Sequence, residues 1–247
     1  MKLGVVIPMY NEKDTVTATV RELREYLDAL TADGRSAFDC WELLLSNDGS
    51  TDGCEKLAAA EAEGDARIRL CGTAENRGKG SAVRHGFAAS EADVVVFTDC
   101  DLAYGVDQIG QIAGRLAESG KDIVIGSRAL HPDGYAGYTA LRRILSKTYL
   151  KIISLCAGFR LSDSQTGIKA FRGEVGRRIF SLCVVDRFAF DLEALMIADR
   201  AGYSIGEFPV TIARVREGRS KVSFVRDSAR MVRDLFRMKK RISKLEL

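Results

Sequence analysis

The sequence has few of the residues that mark disulfide-bonded, zinc-binding or linker-divided proteins. Its 247 residues include only three prolines and two histidines, and its six cysteines are scattered without a Cys-x-x-Cys pair. A zinc site and a disulfide framework are therefore not expected, and the thiols are expected to be reduced. Because no proline-rich or low-complexity segment divides the chain, we expect one continuous domain over residues 1–247.

The long apolar runs of membrane proteins are also missing. No stretch reaches the roughly eighteen uncharged apolar residues that a membrane-spanning helix requires, and the apolar segment 3–9 is too short for a secretory signal. We therefore expect a cytoplasmic protein. The net charge of +3 is small, so nucleic acid is not expected as a partner. Lys and Arg nevertheless concentrate after Arg142, which fits a surface facing anionic lipid or a phosphorylated substrate, or the solvated face of a helix.

Short apolar runs alternate with helical patterns in the first half of the chain. The runs predict strands that are buried on both faces, at residues 3–7, 42–45, 68–71, 93–98 and 123–125. The helical patterns lie at residues 14–32, 54–63, 81–90 and 108–118. Alternation of this kind predicts an α/β fold with a mostly parallel, doubly wound sheet.

The second half of the chain has a different pattern. It predicts a loop at 131–137, a polar turn at 162–167, a helix near 188–201 and a strand near 205–211. Two basic amphipathic helices are predicted as well, around 141–155 and over 224–245. Their apolar faces would lie on a membrane surface, or would pack on the core or on another subunit.

Four polar loops follow the predicted strands, where a parallel sheet binds its ligands. They are residues 8–12, 47–52, 76–80 and 99–101. The glycines of Gly78-Lys79-Gly80 have the spacing of neither a P-loop nor a dinucleotide fingerprint, which argues against a kinase and a dehydrogenase. Asp99 and Asp101 end an apolar strand, and paired carboxylates there suit Mg²⁺ or Mn²⁺ bridging a diphosphate, although acidic turns are common.

The four loops together resemble the family 2 glycosyltransferases in order and spacing. The matching segments are Val6-Ile7-Pro8-Met9-Tyr10-Asn11-Glu12, Asn47-Asp48-Gly49-Ser50-Thr51-Asp52, Asn76-Arg77-Gly78-Lys79-Gly80 and Thr98-Asp99-Cys100-Asp101. In the second half, Gly126-Ser127-Arg128, residues 163–171, residues 187–193 and Gly218-Arg219-Ser220-Lys221 are similar to the polyprenyl-phosphate sugar transferases. The resemblance is to the dolichyl-phosphate β-glucosyltransferases more than to the mannosyltransferases, many of which have a metal-binding Gln where this chain has Ala103.

This resemblance implies a nucleotide-diphospho-sugar transferase (GT-A) fold. Residues 1–130 would form the nucleotide-sugar and metal half, and residues 131–247 the acceptor half. Asp99 and Asp101 would bind the metal ion, and Asp101 would also take part in catalysis. The donor-binding residues that the resemblance implies are Pro8, Tyr10, Asn11, Glu12, Asp48, Lys79 and Asp99. Asn11 and Asp48 also fit a purely structural role as helix caps.

On the acceptor side, the resemblance implies catalytic roles for Asp163, Arg128 and Lys169. The family pattern suggests Asp163 as a base, but a phosphate monoester is already largely ionised at neutral pH. That chemistry favours an orienting role for Asp163, and capping of the turn is a structural alternative. The cations predicted to bind the acceptor phosphate are Arg128, Arg142, Arg143, Lys169, Arg216 and Lys221. Arg142 and Arg143 equally fit the solvated face of a helix.

The predicted function is an inverting, metal-dependent transfer of a hexose, glucose from UDP-glucose, to a polyprenyl or dolichyl phosphate. The alternatives are transfer from GDP-mannose, a cell-wall or other non-lipid acceptor and, in a different enzyme class, a sugar nucleotidyltransferase. The expected partners are the nucleotide sugar, the lipid phosphate, and a membrane surface or a membrane-embedded subunit, with a homo-oligomer as a further alternative. Such an enzyme would work peripherally at the inner face of the membrane.

Overall fold

The structure is a computed structural model that describes residues 1–32, 34–135, 161–187, 189–214, 235 and 237–245. Within these residues the chain forms a seven-stranded sheet with helices on both faces. The elements are β1 (Lys2–Met9), α1 (Val16–Ala32), β2 (Cys40–Asp48), α2 (Cys54–Ala62), β3 (Ile68–Thr73), α3 (Lys79–Ala89), β4 (Val94–Phe97), α4 (Asp107–Ser119), β5 (Ile123–Ser127), a 3₁₀ helix (Arg128–Leu130), β6 (Lys169–Arg172), α5 (Gly173–Leu182), α6 (Phe190–Arg200) and β7 (Ile205–Pro209).

The sheet is parallel except for one strand. Its order is β3-β2-β1-β4-β6-β5-β7, and β6 runs antiparallel to both of its neighbours. β1 pairs in parallel with β2 and β4, so that Val5 is in register with Leu43 on one side and Val96 on the other. The predicted α/β fold with a mostly parallel sheet is confirmed, and each of the five predicted strands has its counterpart in β1 to β5.

Two hydrophobic cores cover the two faces of the sheet. In β1, Leu3 and Val5 pack with α1, α2 and α4, whereas Val6 packs with α3, α5 and α6 on the opposite face. The second core contains a cluster of phenylalanines, in which the rings of Phe87 and Phe180 stack with their centroids 4.2 Å apart. Because both faces are buried, the strands read as near-continuous apolar runs in the sequence.

The sequence patterns predict neither β6 nor α5. β6 has four residues and begins with Lys169, so a charge precedes its short apolar run. α5 follows at once and begins at Gly173, where a Cβ would lie 1.9 Å from the carbonyl oxygen of Ala92. Only glycine permits this approach, and glycine is a poor sign of a helix. Both elements therefore depend on contacts that local sequence does not reveal.

Most of the predicted basic helices lie outside the described residues. The helix predicted around 141–155 falls wholly outside them, and of 224–245 the structure describes residues 235 and 237–245. Residues 237–242 are helical, and Leu235, Met238 and Ile242 are buried in the second core. These three side chains pack on the protein, so for them the alternative of packing on the core holds and not that of lying on a membrane surface. In the described part of the chain, no helix has the length and apolarity to cross a bilayer.

Candidate active site

A cleft of about 330 Å³ opens at the carboxyl edge of the sheet. The loops after β1, β2, β3 and β4 form it, because parallel strands end at the same edge. The residues that line it are Pro8, Met9, Tyr10, Glu12, Asp48, Asn76, Gly78, Lys79, Ala82, Asp99, Cys100, Asp101 and Arg187. The structure thus brings together every predicted donor-side residue except Asn11.

Asn11 connects two loops of the cleft without lining it. Its backbone has a φ of +54°, a left-handed conformation that Asn tolerates better than most residues. Its N–H donates to Ser50 Oγ at 3.1 Å, and its Oδ1 accepts from the N–H of Thr51 at 2.9 Å. Asn11 therefore fixes the loop after β1 against the loop after β2.

Asp48 is a buried carboxylate that holds the loop before α3. Its Oδ1 accepts from the N–H of Arg77 at 3.0 Å, and its Oδ2 accepts from the N–H of Gly78 at 2.8 Å. The side-chain amide of Asn76 also donates to Oδ2, at 3.0 Å. Both oxygens are thus used to shape the cleft, and a contact of Asp48 with the donor nucleotide stays a prediction.

Lys79 and Asp99 form an ion pair inside the cleft. Lys79 Nζ lies 2.5 Å from Asp99 Oδ1, and 21% and 38% of the two side chains remain exposed. Burial lowers the pKa of the Lys79 ammonium, but the carboxylates of Asp99 and Asp191 outweigh burial and raise this pKa above its usual value. Lys79 is therefore a cation at neutral pH, and the pair is open to a ligand from the cleft.

Asp99 and Asp101 are suitable ligands for a divalent cation. The chain turns at Leu102, whose φ is +48°, and Asp101 Oδ1 accepts from the N–H of Ala103 at 3.2 Å. Cys100 lies in the core, and burial raises the pKa of its thiol to about 12, so it does not suit a metal. In the described ranges, no three His, Cys, Asp or Glu side chains cluster as a complete metal cage. The two carboxylates fit Mg²⁺ or Mn²⁺ whose other ligands are phosphate and water oxygens.

Arg128 and Asp163, two of the residues predicted for the acceptor side, form a bidentate ion pair. Arg128 Nε donates to Asp163 Oδ2 at 2.6 Å, and Nη2 donates to Oδ1 at 3.0 Å. The backbone N–H of Arg128 donates to Oδ2 at 3.2 Å, and that of Gln165 donates to Oδ1 at 3.3 Å. Asp163 has no exposed surface. Both oxygens of Asp163 thus accept hydrogen bonds from Arg128 and from the backbone of the turn. This arrangement favours a role for Asp163 in orienting Arg128 over a role as a base that abstracts a proton.

A second buried pair, Lys169 with Asp191, lies behind the cleft. Lys169 Nζ is 2.6 Å from the carbonyl oxygen of Thr166 and 3.2 Å from Asp191 Oδ1. Burial lowers the pKa of Lys169 and raises that of Asp191, although each group partly offsets the effect on the other. Lys169 was predicted to contact the acceptor phosphate, but the structure places its ammonium in the interior, joining β6 to α6.

The turn that contains Asp163 lies against the acids of the cleft. A Cβ on Gly167 would lie 2.3 Å from Asp99 Oδ2, so glycine is required at this contact. The N–H of Gly167 donates to the hydroxyl of Tyr104 at 3.3 Å. Burial raises the pKa of Tyr104 to about 12, which keeps this hydroxyl neutral. The turn that contains Asp163 therefore reaches Asp99, although neither Arg128 nor Asp163 is among the residues that line the cleft.

Arg187 also lines the cleft, although the sequence motifs do not assign it a role. The one indication of a functional role in the sequence is its position at the start of segment 187–193, which is similar to the family. Of the predicted acceptor cations, Arg142, Arg143, Arg216 and Lys221 lie outside the described residues.

The model of glycosyl transferase family 2 matches residues 4–181, which include most of β1, all of β2 to β6 and every cleft residue except Arg187. The chain therefore belongs to this family, and the class of protein that the fold and the cleft define is a glycosyltransferase. The family resemblance and the enzyme class predicted from the sequence are both confirmed.

Two curated relatives are dolichyl-phosphate β-glucosyltransferases. One, from Trichomonas vaginalis, is 30% identical over 224 residues, covering 88% of this chain and 66% of the relative. Another, from Drosophila melanogaster, is 31% identical over 244 residues, covering 96% of this chain and 74% of the relative. The chain thus spans only part of the length of these proteins.

A solved structure of similar fold is glucosyl-3-phosphoglycerate synthase from Mycobacterium tuberculosis, in complex with Mn²⁺, uridine diphosphate and phosphoglyceric acid. Its TM-score is 0.67 at 18% identity, and the match covers 100% of this chain and 80% of that one. At this identity the likeness shows the fold.

Proposed function

We propose that this chain transfers glucose from UDP-glucose to a polyprenyl (dolichyl-type) phosphate, with inversion and with Mg²⁺ or Mn²⁺ as cofactor. The observation that carries the proposal is the close approach of Gly167, in the turn that contains Asp163, to the Asp99 carboxylate of the cleft. The similarity to two dolichyl-phosphate β-glucosyltransferases supports the choice of sugar and acceptor.

On the donor side, the cleft has groups that suit the diphosphate and the nucleoside of a nucleotide sugar. Asp99 and Asp101 would hold the metal ion, which supplies neutralisation of the charge on a leaving nucleoside diphosphate. Lys79 adds a protonated ammonium next to Asp99. Tyr10 is 40% exposed at the cleft, and its ring, with Pro8, offers an apolar surface to the nucleoside.

On the acceptor side, a lipid phosphate is its own nucleophile. Its second pKa is about 6, so at neutral pH it is largely ionised and needs little help from a base. Arg128, fixed in direction by Asp163, offsets the repulsion between an anionic acceptor and an anionic donor. Attack from the side opposite the diphosphate inverts the anomeric carbon and gives a β-linked sugar phosphate, and catalysis is mainly positioning and electrostatics.

A lipid acceptor requires the enzyme to reach a bilayer. We propose that it does so peripherally, at the inner face of the membrane, through its basic surface or a membrane-embedded partner subunit. Arg237, Lys239, Lys240 and Lys244 are exposed near the end of the chain. Basic groups of this kind are attracted to anionic lipid.

A transfer assay tests the proposal. The purified protein is incubated with Mn²⁺, detergent-solubilised dolichyl phosphate and a panel of labelled UDP- and GDP-sugars. We expect label to enter the lipid extract from UDP-glucose, and to disappear when the metal is chelated. A soluble phosphate such as 3-phosphoglycerate, offered in place of the lipid, is expected to remain unlabelled.

The other outcomes separate the alternatives. Labelling of lipid from GDP-mannose alone would show that the donor is GDP-mannose and would leave the proposed acceptor unchanged. Labelling of the soluble phosphate, or of a sugar acceptor, without labelling of lipid would overturn the acceptor. Release of pyrophosphate from UTP and glucose 1-phosphate would indicate a sugar nucleotidyltransferase instead.

A further inference from the structure

A loop of residues 183–187 joins α5 to α6 and builds one wall of the cleft. Arg84 of α3 holds it, because Nη1 donates to the carbonyl oxygen of Val185 at 3.1 Å and the guanidinium pairs with the carboxylate of Asp186. The N–H of Gly80 donates to the carbonyl oxygen of Asp186 at 2.7 Å. The 183–187 loop therefore packs directly on the start of α3.

Gly78 and Gly80 make this packing possible. A Cβ on Gly78 would lie 2.4 Å from the carbonyl oxygen of Asp186, and a Cβ on Gly80 would lie 2.5 Å from that of Val185. Any side chain at either position would push the loop away. The Gly78-Lys79-Gly80 segment, which has the spacing of no common phosphate loop, is thus the surface on which the 183–187 loop packs.

Glu193 of α6 holds the other side of the loop. Its Oε2 accepts from the N–H groups of Val184 and Val185, at 2.9 and 2.8 Å. Its Oε1 accepts from Arg241 Nη2 at 2.6 Å, and the carboxylate has no exposed surface. A buried carboxylate is costly unless it is fully paired. Here its partners are the 183–187 loop and the C-terminal segment, so the position of one is linked to the position of the other.

The charges of the cleft leave Arg187 available for an anion. The carboxylates that line it are Glu12, Asp48, Asp99 and Asp101, and the cations are Lys79 and Arg187. Lys79 is already paired with Asp99, whereas Arg187 makes no ion pair or side-chain hydrogen bond with any residue that the structure describes. A diphosphate entering this acidic cleft needs additional positive charge, and a guanidinium is well suited to phosphate oxygens.

We propose that Arg187 binds the diphosphate of the donor nucleotide, and that Glu193, with Arg241, is a positioning residue that holds the 183–187 loop for this contact. The inference rests on the proposed function, because it takes the ligand of the cleft to be a nucleoside diphosphate. It adds a coupling that runs through the fold. Loss of the Arg241–Glu193 pair loosens the loop and weakens donor binding, although neither residue touches the donor.

Calorimetric titration of the full chain with UDP, and in parallel with GDP, in the presence of Mn²⁺ tests the contact. Arg187→Ala is expected to weaken binding about ten-fold, the size of one partly exposed charged hydrogen bond. Arg187→Lys should keep part of the affinity. The matched control is Arg178→Ala, which removes the same charge from an exposed position of α5 and should bind as the wild type does. Unchanged binding by Arg187→Ala would overturn this inference alone, whereas a wild type that binds neither nucleotide would overturn the proposed function with it.

The positioning role has its own test. Glu193→Gln and Arg241→Ala are expected to weaken nucleotide binding about three-fold, since each removes one charged partner of the loop. Lys240→Ala, at an exposed position of the same helix, is the control. In the Arg187→Ala background, neither substitution should weaken binding further, because both act through Arg187. Titrations are run below the melting temperature of the least stable variant. Additive losses would mean that Glu193 and Arg241 affect nucleotide binding by a route other than Arg187, and would overturn the coupling.

Discussion

Carboxylates have different roles at the two edges of the central sheet, the amino edge where the parallel strands begin and the carboxyl edge where they end. At the amino edge, Glu42 of β2 is buried and bound on all sides. Its partners are Lys2 Nζ at 2.7 Å, Arg69 Nη2 at 2.9 Å, the hydroxyl of Ser90 at 2.7 Å and the N–H of Glu91 at 2.9 Å. At the carboxyl edge, Asp99 has an ion pair with Lys79, yet 38% of its side chain remains exposed. A carboxylate whose hydrogen-bonding capacity is filled stabilises the fold, and one that keeps an open side is available to a ligand.

The Lys169–Asp191 pair lies behind the carboxyl edge, but like Glu42 it is buried and paired. Its side chains are 1% and 9% exposed, so it resembles the amino edge in burial although it lies close to the cleft. Proximity to the cleft is therefore not enough to assign a ligand-binding role to a charged group.

The largest expected effect is at Asp101. Asp101→Asn keeps the shape of the side chain but removes its charge, and turnover in the glucose-transfer assay is expected to fall about 10²- to 10³-fold through lost electrostatic stabilisation. The concentration of Mn²⁺ needed for half-maximal rate should rise, while the melting temperature changes little. Asp14→Asn, at an exposed position near α1, is the matched control. An equal loss of rate in both variants would contradict the proposed role of Asp101 in metal binding and catalysis.

The second effect concerns stability. Lys169→Met leaves Asp191 buried without its cation, so the free energy of unfolding in urea is expected to fall by about 3 kcal/mol. Adding Asp191→Leu removes the stranded carboxylate and should recover most of that loss. A double variant that stays as unstable as Lys169→Met would contradict the prediction that the unpaired Asp191 carboxylate causes the loss of stability.

The smallest effect is the pH dependence at Glu42. Burial raises the pKa of this carboxyl, but the ammonium of Lys2 and the hydrogen bonds from Ser90 and Glu91 outweigh burial and place it below the usual value. Its contribution is thus present above the unfolded pKa of about 4.3 and is lost as pH falls through the folded pKa. Glu42→Gln should be less stable than the wild type by about 1–3 kcal/mol at neutral pH, and the gap should narrow in acid. Urea unfolding at several pH values measures it, and a gap that does not change with pH would contradict this prediction.

The sequence predicts the open edge of the sheet better than the buried charge pairs. Residues 8–12, 47–52, 76–80 and 99–101 follow apolar strands, and the edge at which they meet is set by the parallel order of those strands. The strand at Lys169 was missed because a buried lysine looks like a surface residue in a pattern of polar and apolar positions. The sequence does not reveal the role of Arg187 for a similar reason, since its place on the cleft depends on how the 183–187 loop packs on α3.

By itself, the sequence determined the parallel sheet, the family and the edge that carries the acids, because strand periodicity and motif spacing are local properties. The tertiary structure decided which charges are open and which are paired. Arg128 and Asp163 are 35 residues apart, and Glu193 and Arg241 are 48 residues apart. No local pattern predicts pairings over such distances, because the energy of a charge depends on its burial and on the partners that folding brings to it.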